Sequence, residues 1–192
     1  MAGRWTHLGH QLGECWYNVD KHIIYINIPK NASSFVKGCL MGSKSSWVYY
    51  DHMMSADKYL VVLRDPIDRW VSGIAQFMAI ESNKNIPLND LVNNITFDDH
   101  TELQTYFLQG VDLDCCEFIR ADKNLRTVLK QWLNDNGYVS NVDNVPNLNQ
   151  GNETEKNKFA ILVDDNKQIK LKLAEHYAKD YELINRVKFY GT

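Results

Sequence analysis

Lys30, Asn31, Ala32, Ser33, Ser34 and Phe35 stand between an apolar run and a segment of helical periodicity. The run IIYINI from Ile23 has the β-branched composition of a buried strand. Pro29 ends it, because proline has no N–H for a sheet ladder. Phe35, Val36, Cys39 and Leu40 then recur on one helical face. A strand, a tight polar turn and a helix start bring main-chain N–H groups and the positive end of a helix dipole to one place. Lys30 adds a full charge. The chemistry expected is the binding of an anion, above all a phosphate. No G-x-x-x-x-G-K-[ST] occurs in the chain, which disfavours a standard ATP or GTP enzyme.

A second stretch repeats the plan. Tyr59 to Leu63 reads as a short apolar strand, followed by Arg64 and Asp65. Asp65 suits an N-cap and Pro66 the first helical turn. Trp70, Val71, Ile74, Phe77 and Met78 keep the spacing of a buried helix face. Arg64 falls at the carboxyl end of its strand, where open α/β sheets bind ligands. Ser72 lies two turns into the helix.

Together, PKNASSF and LRDPIDRWVSG resemble the two signature segments of sulfotransferases that use 3′-phosphoadenosine 5′-phosphosulfate (PAPS). The closest likeness is to the carbohydrate branch. The resemblance implies that Lys30, Asn31, Ala32, Ser33, Ser34 and Phe35 hold the 5′-phosphosulfate, with Lys30 also catalytic. It implies that Arg64 and Ser72 hold the 3′-phosphate. Asn31 departs from the Thr or Ser of many members but keeps a short polar side chain. The resemblance also implies a general base. His52, after the aromatic run Trp47–Tyr50, matches that position, and a group with a pKa near neutral suits deprotonation of a hydroxyl. FDDHTELQTYF resembles a substrate-side segment. His100 in it is the second candidate base and an Asp98 or Asp99 carboxylate the third. His100 and Gln104 are expected one helical turn apart on one face, after an Asp98 or Asp99 cap. Asn149, in Asn147-Leu148-Asn149, resembles part of a late nucleotide-closing loop.

The rest of the chain sets bounds. Its 192 residues fit one domain, 1–192, with a sizeable core. Net charge is −3, which speaks against a nucleic-acid partner. No run of about 18 apolar residues occurs, so no transmembrane helix is expected, and MAGRWTHLGHQLGECW lacks an apolar signal core. Cys15, Cys39, Cys115 and Cys116 show no C-x-x-C pattern, and a reduced, cytoplasmic protein is expected. No metal is required. Residues 1–20 read as an irregular arm or short helix, with His7 and His10 as surface histidines. Residues 87 onward read as a short helix, Cys115–Arg120 as a strand, Leu125–Leu133 as a helix and 138–158 as a long polar loop. Asp165 with Gln168 is expected to cap the next helix, on which Ile169, Leu173, Tyr177, Tyr181 and Ile184 share a face. LAEHYAKDYELINRVKFY resembles the family's closing Y-x-x-D-Y helix, with a structural role, aromatic packing onto the sheet.

The fold expected is α/β: a mostly parallel central sheet flanked by helices, with a P-loop-like strand–turn–helix, as in the sulfotransferase fold. The activity expected is transfer of a sulfuryl group from PAPS to a hydroxyl, on a carbohydrate or glycolipid, by in-line displacement. Two rivals stand beside it. A small nucleotide kinase would bind ATP with magnesium. A non-catalytic nucleotide-binding module would bind without turnover.

Overall fold

The computed structural model describes residues 14–43, 46–50, 56–80, 83, 86–146 and 153–191. They form an α/β protein with a five-stranded mixed sheet and, among the described residues, seven α-helices. Two compact units result. One takes the chain through Arg64, then Tyr106–Leu148 and the end from Val187; the other takes Asp65–Thr105 and Asn149–Arg186.

The first unit holds the sheet. Its strands are β1 (Glu14–Asn18), β2 (Ile23–Asn27), β3 (Trp47–Tyr50), β4 (Lys58–Leu63) and β5 (Cys116–Arg120), in the order β3-β1-β2-β4-β5. β2–β4 and β4–β5 are parallel, while β1 is antiparallel to both β2 and β3. The sheet is therefore mixed rather than mostly parallel. The cause is residues 14–18, which were expected in an arm and instead form a strand. The turn into β2 is closed by Lys21 N–H donating to Asn18 Oδ1 at 3.0 Å, with His22 left-handed at φ 51°. It carries no Asn-Gly or Asp-Gly, the usual sequence mark of a hairpin.

Two helices of this unit, α1 (Ser33–Met41) and α4 (Leu125–Asp135), share a core with the sheet. Alternate strand residues supply the sheet side: Ile23 and Tyr25 on β2, Leu60 and Val62 on β4, Ile119 on β5. This is the period-two pattern of one sheet face. Phe35, Val36, Cys39 and Leu40 meet them from α1, and Leu125, Leu129, Trp132 and Leu133 from α4. At the start of β4, Lys58 pairs with Glu117 at 2.8 Å, and Glu117 also accepts from Trp132 Nε1.

The second unit is helical: α2 (Pro66–Ala79), α3 (Leu88–Asn93), α5 (Glu153–Asp165), α6 (Lys167–His176) and α7 (Ala178–Arg186). Asp65 caps α2 as expected, accepting from Ile67 N at 3.0 Å and Asp68 N at 3.1 Å. Trp70, Val71 and Ile74 of α2 pack with Phe159 and Val163 of α5 and Ile169 and Leu173 of α6. Three local expectations shift. Asn166, not Asp165, caps α6 through Gln168 N and Ile169 N. The closing helix breaks at Tyr177 into α6 and α7. The loop 138–158 is shortened by a 3-10 turn at Val142–Asn144 and by α5 starting at Glu153. Among the described residues no helix is long and apolar enough to cross a membrane.

Leu60 is fully buried in the middle of β4. Leu60→Ala is expected to lower stability by about 2–5 kcal/mol, the range for a large-to-small core change. Urea denaturation checks it, and a loss below about 1 kcal/mol would mean that the site collapses around the smaller side chain.

Candidate functional site: a left-handed turn and an Asp–His pair

The first candidate site is the turn from β2 into α1. Asn31 N–H donates to the Ile28 carbonyl at 3.3 Å, closing a four-residue turn with Pro29 and Lys30 at its centre. Lys30 is left-handed at φ 69°. Proline followed by a residue of positive φ fits a type II turn, in which glycine is the favoured second residue. Ala32, the N-cap of α1, is also left-handed, at φ 57° and ψ 27°. Each such residue costs on the order of 1–3 kcal/mol and persists only when its surroundings over-determine it.

Those surroundings are visible. Asn31, fully buried between the two left-handed residues, donates Nδ2–H to the Val62 carbonyl of β4 at 2.7 Å. Arg64, just past the end of β4, donates Nη1–H to the Lys30 carbonyl at 3.2 Å. Phe35 carries the Arg126 guanidinium over its ring, 4.7 Å from the centroid. Arg126 also donates to the Val142 carbonyl and, at 2.9 Å, to the Val145 carbonyl. Nearby, burial pushes the Cys39 thiol up to about 12, against the opposing charge of Arg126.

The helix start has no side-chain cap, and Ser33 and Ser34 are half-buried in its first turn. Alternating backbone hands at a helix start make a concave nest of N–H groups suited to an anion. Of the expected cradle residues, Asn31 holds a different place. Its N–H and its Nδ2–H both donate within the protein, so it braces the turn. The structure thus brings together Lys30, Ala32, Ser33, Ser34, Phe35 and Arg64, on a frame supplied by Asn31. Arg126 was not anticipated; no motif marks it, and only the packing of α4 against α1 reveals it.

The other predicted residues have separate settings. His52 and Asn149 lie outside the described residues, as do His7 and His10. Ser72 is half-buried on α2, in the second unit. His100 belongs to that unit too. It is not on a helix: residues 98–102 form turns, and a 3-10 turn begins at Gln104. The expected shared helical face of His100 and Gln104 is therefore absent. Gln104 is buried, and its N–H and Nε2 go to Asp180 Oδ2 at 2.8 and 3.4 Å.

His100 instead pairs with Asp98. Its Nδ1 lies 3.0 Å from Asp98 Oδ2, and its N–H donates to Asp98 Oδ1 at 2.9 Å. Both side chains are one-third exposed, at 33%. Burial raises the Asp98 pKa. The hydrogen bond and charge of His100, with the N–H groups of His100 and Thr101, outweigh it and hold the carboxyl below its ordinary value. An ionised Asp98 selects the tautomer with hydrogen on Nδ1 and leaves a lone pair on Nε2. The Gln76 amide nitrogen lies 3.4 Å from that Nε2. A carboxylate that orients an imidazole in this way is a common design for a general base. Asp98 is thus placed to orient His100, and Asp99 offers its main-chain carbonyl to Arg69 at 3.0 Å.

No known family profile, curated protein or solved structure matches this chain.

Two outcomes follow from this geometry. Lys30→Gly removes a side chain from a left-handed position and leaves the fold at least as stable, with a gain of up to about 1 kcal/mol. A loss of more than about 1 kcal/mol in urea denaturation would show instead that the lysine side chain holds the turn. For Asp98 the folded pKa is depressed. Its contribution is fully present above the ordinary carboxylate value of about 3.9 and fades as pH falls through the lower folded value. The stability difference between the unaltered protein and Asp98→Asn is expected to shrink across that acid window. A difference that grows as pH falls through that window would contradict the pairing.

Proposed function

We propose that this chain is a PAPS-dependent sulfotransferase acting on a hydroxyl of a carbohydrate or glycolipid. One observation carries the reading. The residues that resemble the phosphosulfate-binding signature form an uncapped helix start behind two left-handed residues, tied to the arginine of the second signature. A chain that needed only to connect β2 to α1 could use glycine there, at lower backbone cost.

PAPS supplies an activated sulfuryl group, compact and anionic. The chain's part is positioning and charge stabilisation, by analogy with phosphoryl transfer. Main-chain N–H groups of the first turn of α1, with the Ser33 and Ser34 hydroxyls, take the 5′-phosphate. Lys30 offsets the charge that grows on the leaving oxygen. Arg64, steadied by the Lys30 carbonyl, takes the 3′-phosphate; the part of Ser72 in that grip rests on the resemblance alone. Among the candidate bases, His100 is oriented within its own unit by Asp98, which favours hydrogen on Nδ1. His52 keeps its candidacy by resemblance.

Thermal unfolding with adenosine 3′,5′-bisphosphate, beside ADP and ATP with magnesium, tests the reading. At about 100 times its dissociation constant a ligand adds roughly 2.7 kcal/mol. For a chain of this size that is a rise of about 5–11 °C, at roughly 2–4 °C per kcal/mol. The rise is expected with the 3′-phosphorylated nucleotide alone, and lost in Lys30→Gly. A rise with ATP and magnesium instead would favour a kinase. A rise with the bisphosphate but no transfer to any acceptor would favour a non-catalytic module.

A further inference from the structure

The second signature contains an arginine that the nucleotide reading does not use. Arg69 of α2 is fully buried. Burial lowers its pKa to about 10, with the nearby Tyr177, Asp180, Glu102 and Asp98 opposing the fall, so it stays charged at neutral pH. Its guanidinium donates to two main-chain carbonyls, that of Glu102 and that of Asp99 at 3.0 Å. Asp180 of α7 is also fully buried. It accepts from Gln104 N at 2.8 Å and from Thr105 N at 2.9 Å. Tyr177, between α6 and α7, donates its hydroxyl to the Thr101 carbonyl.

All of these bonds converge on one short segment, 99–105. The segment is also gripped from within: Thr101 Oγ1 accepts from Phe97 N at 2.8 Å and Asp98 N at 3.2 Å. It runs so close to α2 that a Cβ on Gly73 would lie 2.4 Å from the His100 carbonyl oxygen. Burying an ionised arginine costs several kcal/mol that apolar packing would avoid. Here the buried charges serve the backbone of the segment that presents the partly exposed Asp98–His100 pair. That is how a preorganised functional group is held: its supporting atoms are locked while its working atom stays accessible.

We propose that Arg69 and Asp180 are positioning residues for His100: from α2 and α7 they fix segment 99–105 so that Asp98 meets Nδ1 and Nε2 keeps its lone pair beside the Gln76 amide nitrogen. What His100 then does rests on the sulfuryl-transfer reading; the positioning itself does not.

The test is the protonation pattern of the His100 ring, read by nitrogen NMR at neutral pH below the unfolding transition. The unaltered protein is expected to show a single tautomer with hydrogen on Nδ1. Asp98→Asn, which removes the direct partner, loses that single-tautomer signature and calibrates the change. Arg69→Lys keeps the charge but loses the planar two-carbonyl grip. It is expected to give a mixed tautomer population while the rise in melting temperature with adenosine 3′,5′-bisphosphate persists. Asp180→Asn, a milder change, is expected to do the same and serves if Arg69→Lys does not fold. A single Nδ1–H tautomer retained in the folded variants overturns the proposal, as does a mixture already present in the unaltered protein. Absence of any nucleotide-induced rise in the unaltered protein overturns the sulfuryl-transfer reading instead, and the tautomer result still decides the positioning role.

Discussion

The hydrogen bond from Asn31 Nδ2 to the Val62 carbonyl governs the geometry of the β2–α1 turn. Both groups are inside the protein, where an unmade partner costs about 1–3 kcal/mol. The bond ties the turn to the neighbouring parallel strand at one residue, between two left-handed ones. Lys30 and Ala32 take that conformation without glycine. The Arg64 bond to the Lys30 carbonyl adds a second tie, from a residue that is adjacent only because β2 and β4 run parallel. The outcome is a helix start behind two left-handed residues, tied to β4 by Asn31 and Arg64.

The second unit meets a similar requirement by other means. Segment 99–105 has little regular structure of its own, so its main-chain groups cannot be satisfied by a ladder. Arg69, Tyr177 and Asp180 satisfy them from α2 and the α6–α7 junction. Buried polar groups of this kind are stable only when fully paired, and then they define one arrangement over its alternatives. Gly73 contributes by lacking a side chain where the His100 main chain passes. The Y-x-x-D pattern at Tyr177 and Asp180, read in the sequence as aromatic packing, is therefore also a hydrogen-bonding device.

Both devices favour electrostatic preorganisation. Donors held in advance need not reorganise as charge develops, which is why fixed N–H groups and oriented imidazoles act more strongly than mobile ones. Lys30 and His100 each sit on a main chain held by neighbours rather than by their own local propensity. Their side chains are left partly exposed.

Much of this was legible in one dimension. Apolar runs and helical spacing located β2, β4, β5, α1, α2 and α4, because burial on a sheet or a helix face imposes a period that survives in the sequence. The Asp65 cap and the helix it opens were legible for the same local reason. Strand β1 was not, since its hairpin with β2 carries no turn signal and its other neighbour, β3, lies well along the chain. The positive φ of Lys30 and Ala32 was equally hidden, because the usual mark of such a position is glycine. The sequence alone thus determined which residue types lie at the strand ends and which helices flank them. Only the tertiary structure shows that Asn31 ties its turn to β4 and that His100 pairs with Asp98 in place of a helical partnership with Gln104. It also decided that Arg69 and Asp180 hold that segment. Each of these depends on contacts between segments 30 or more residues apart, or on a turn whose shape such contacts impose.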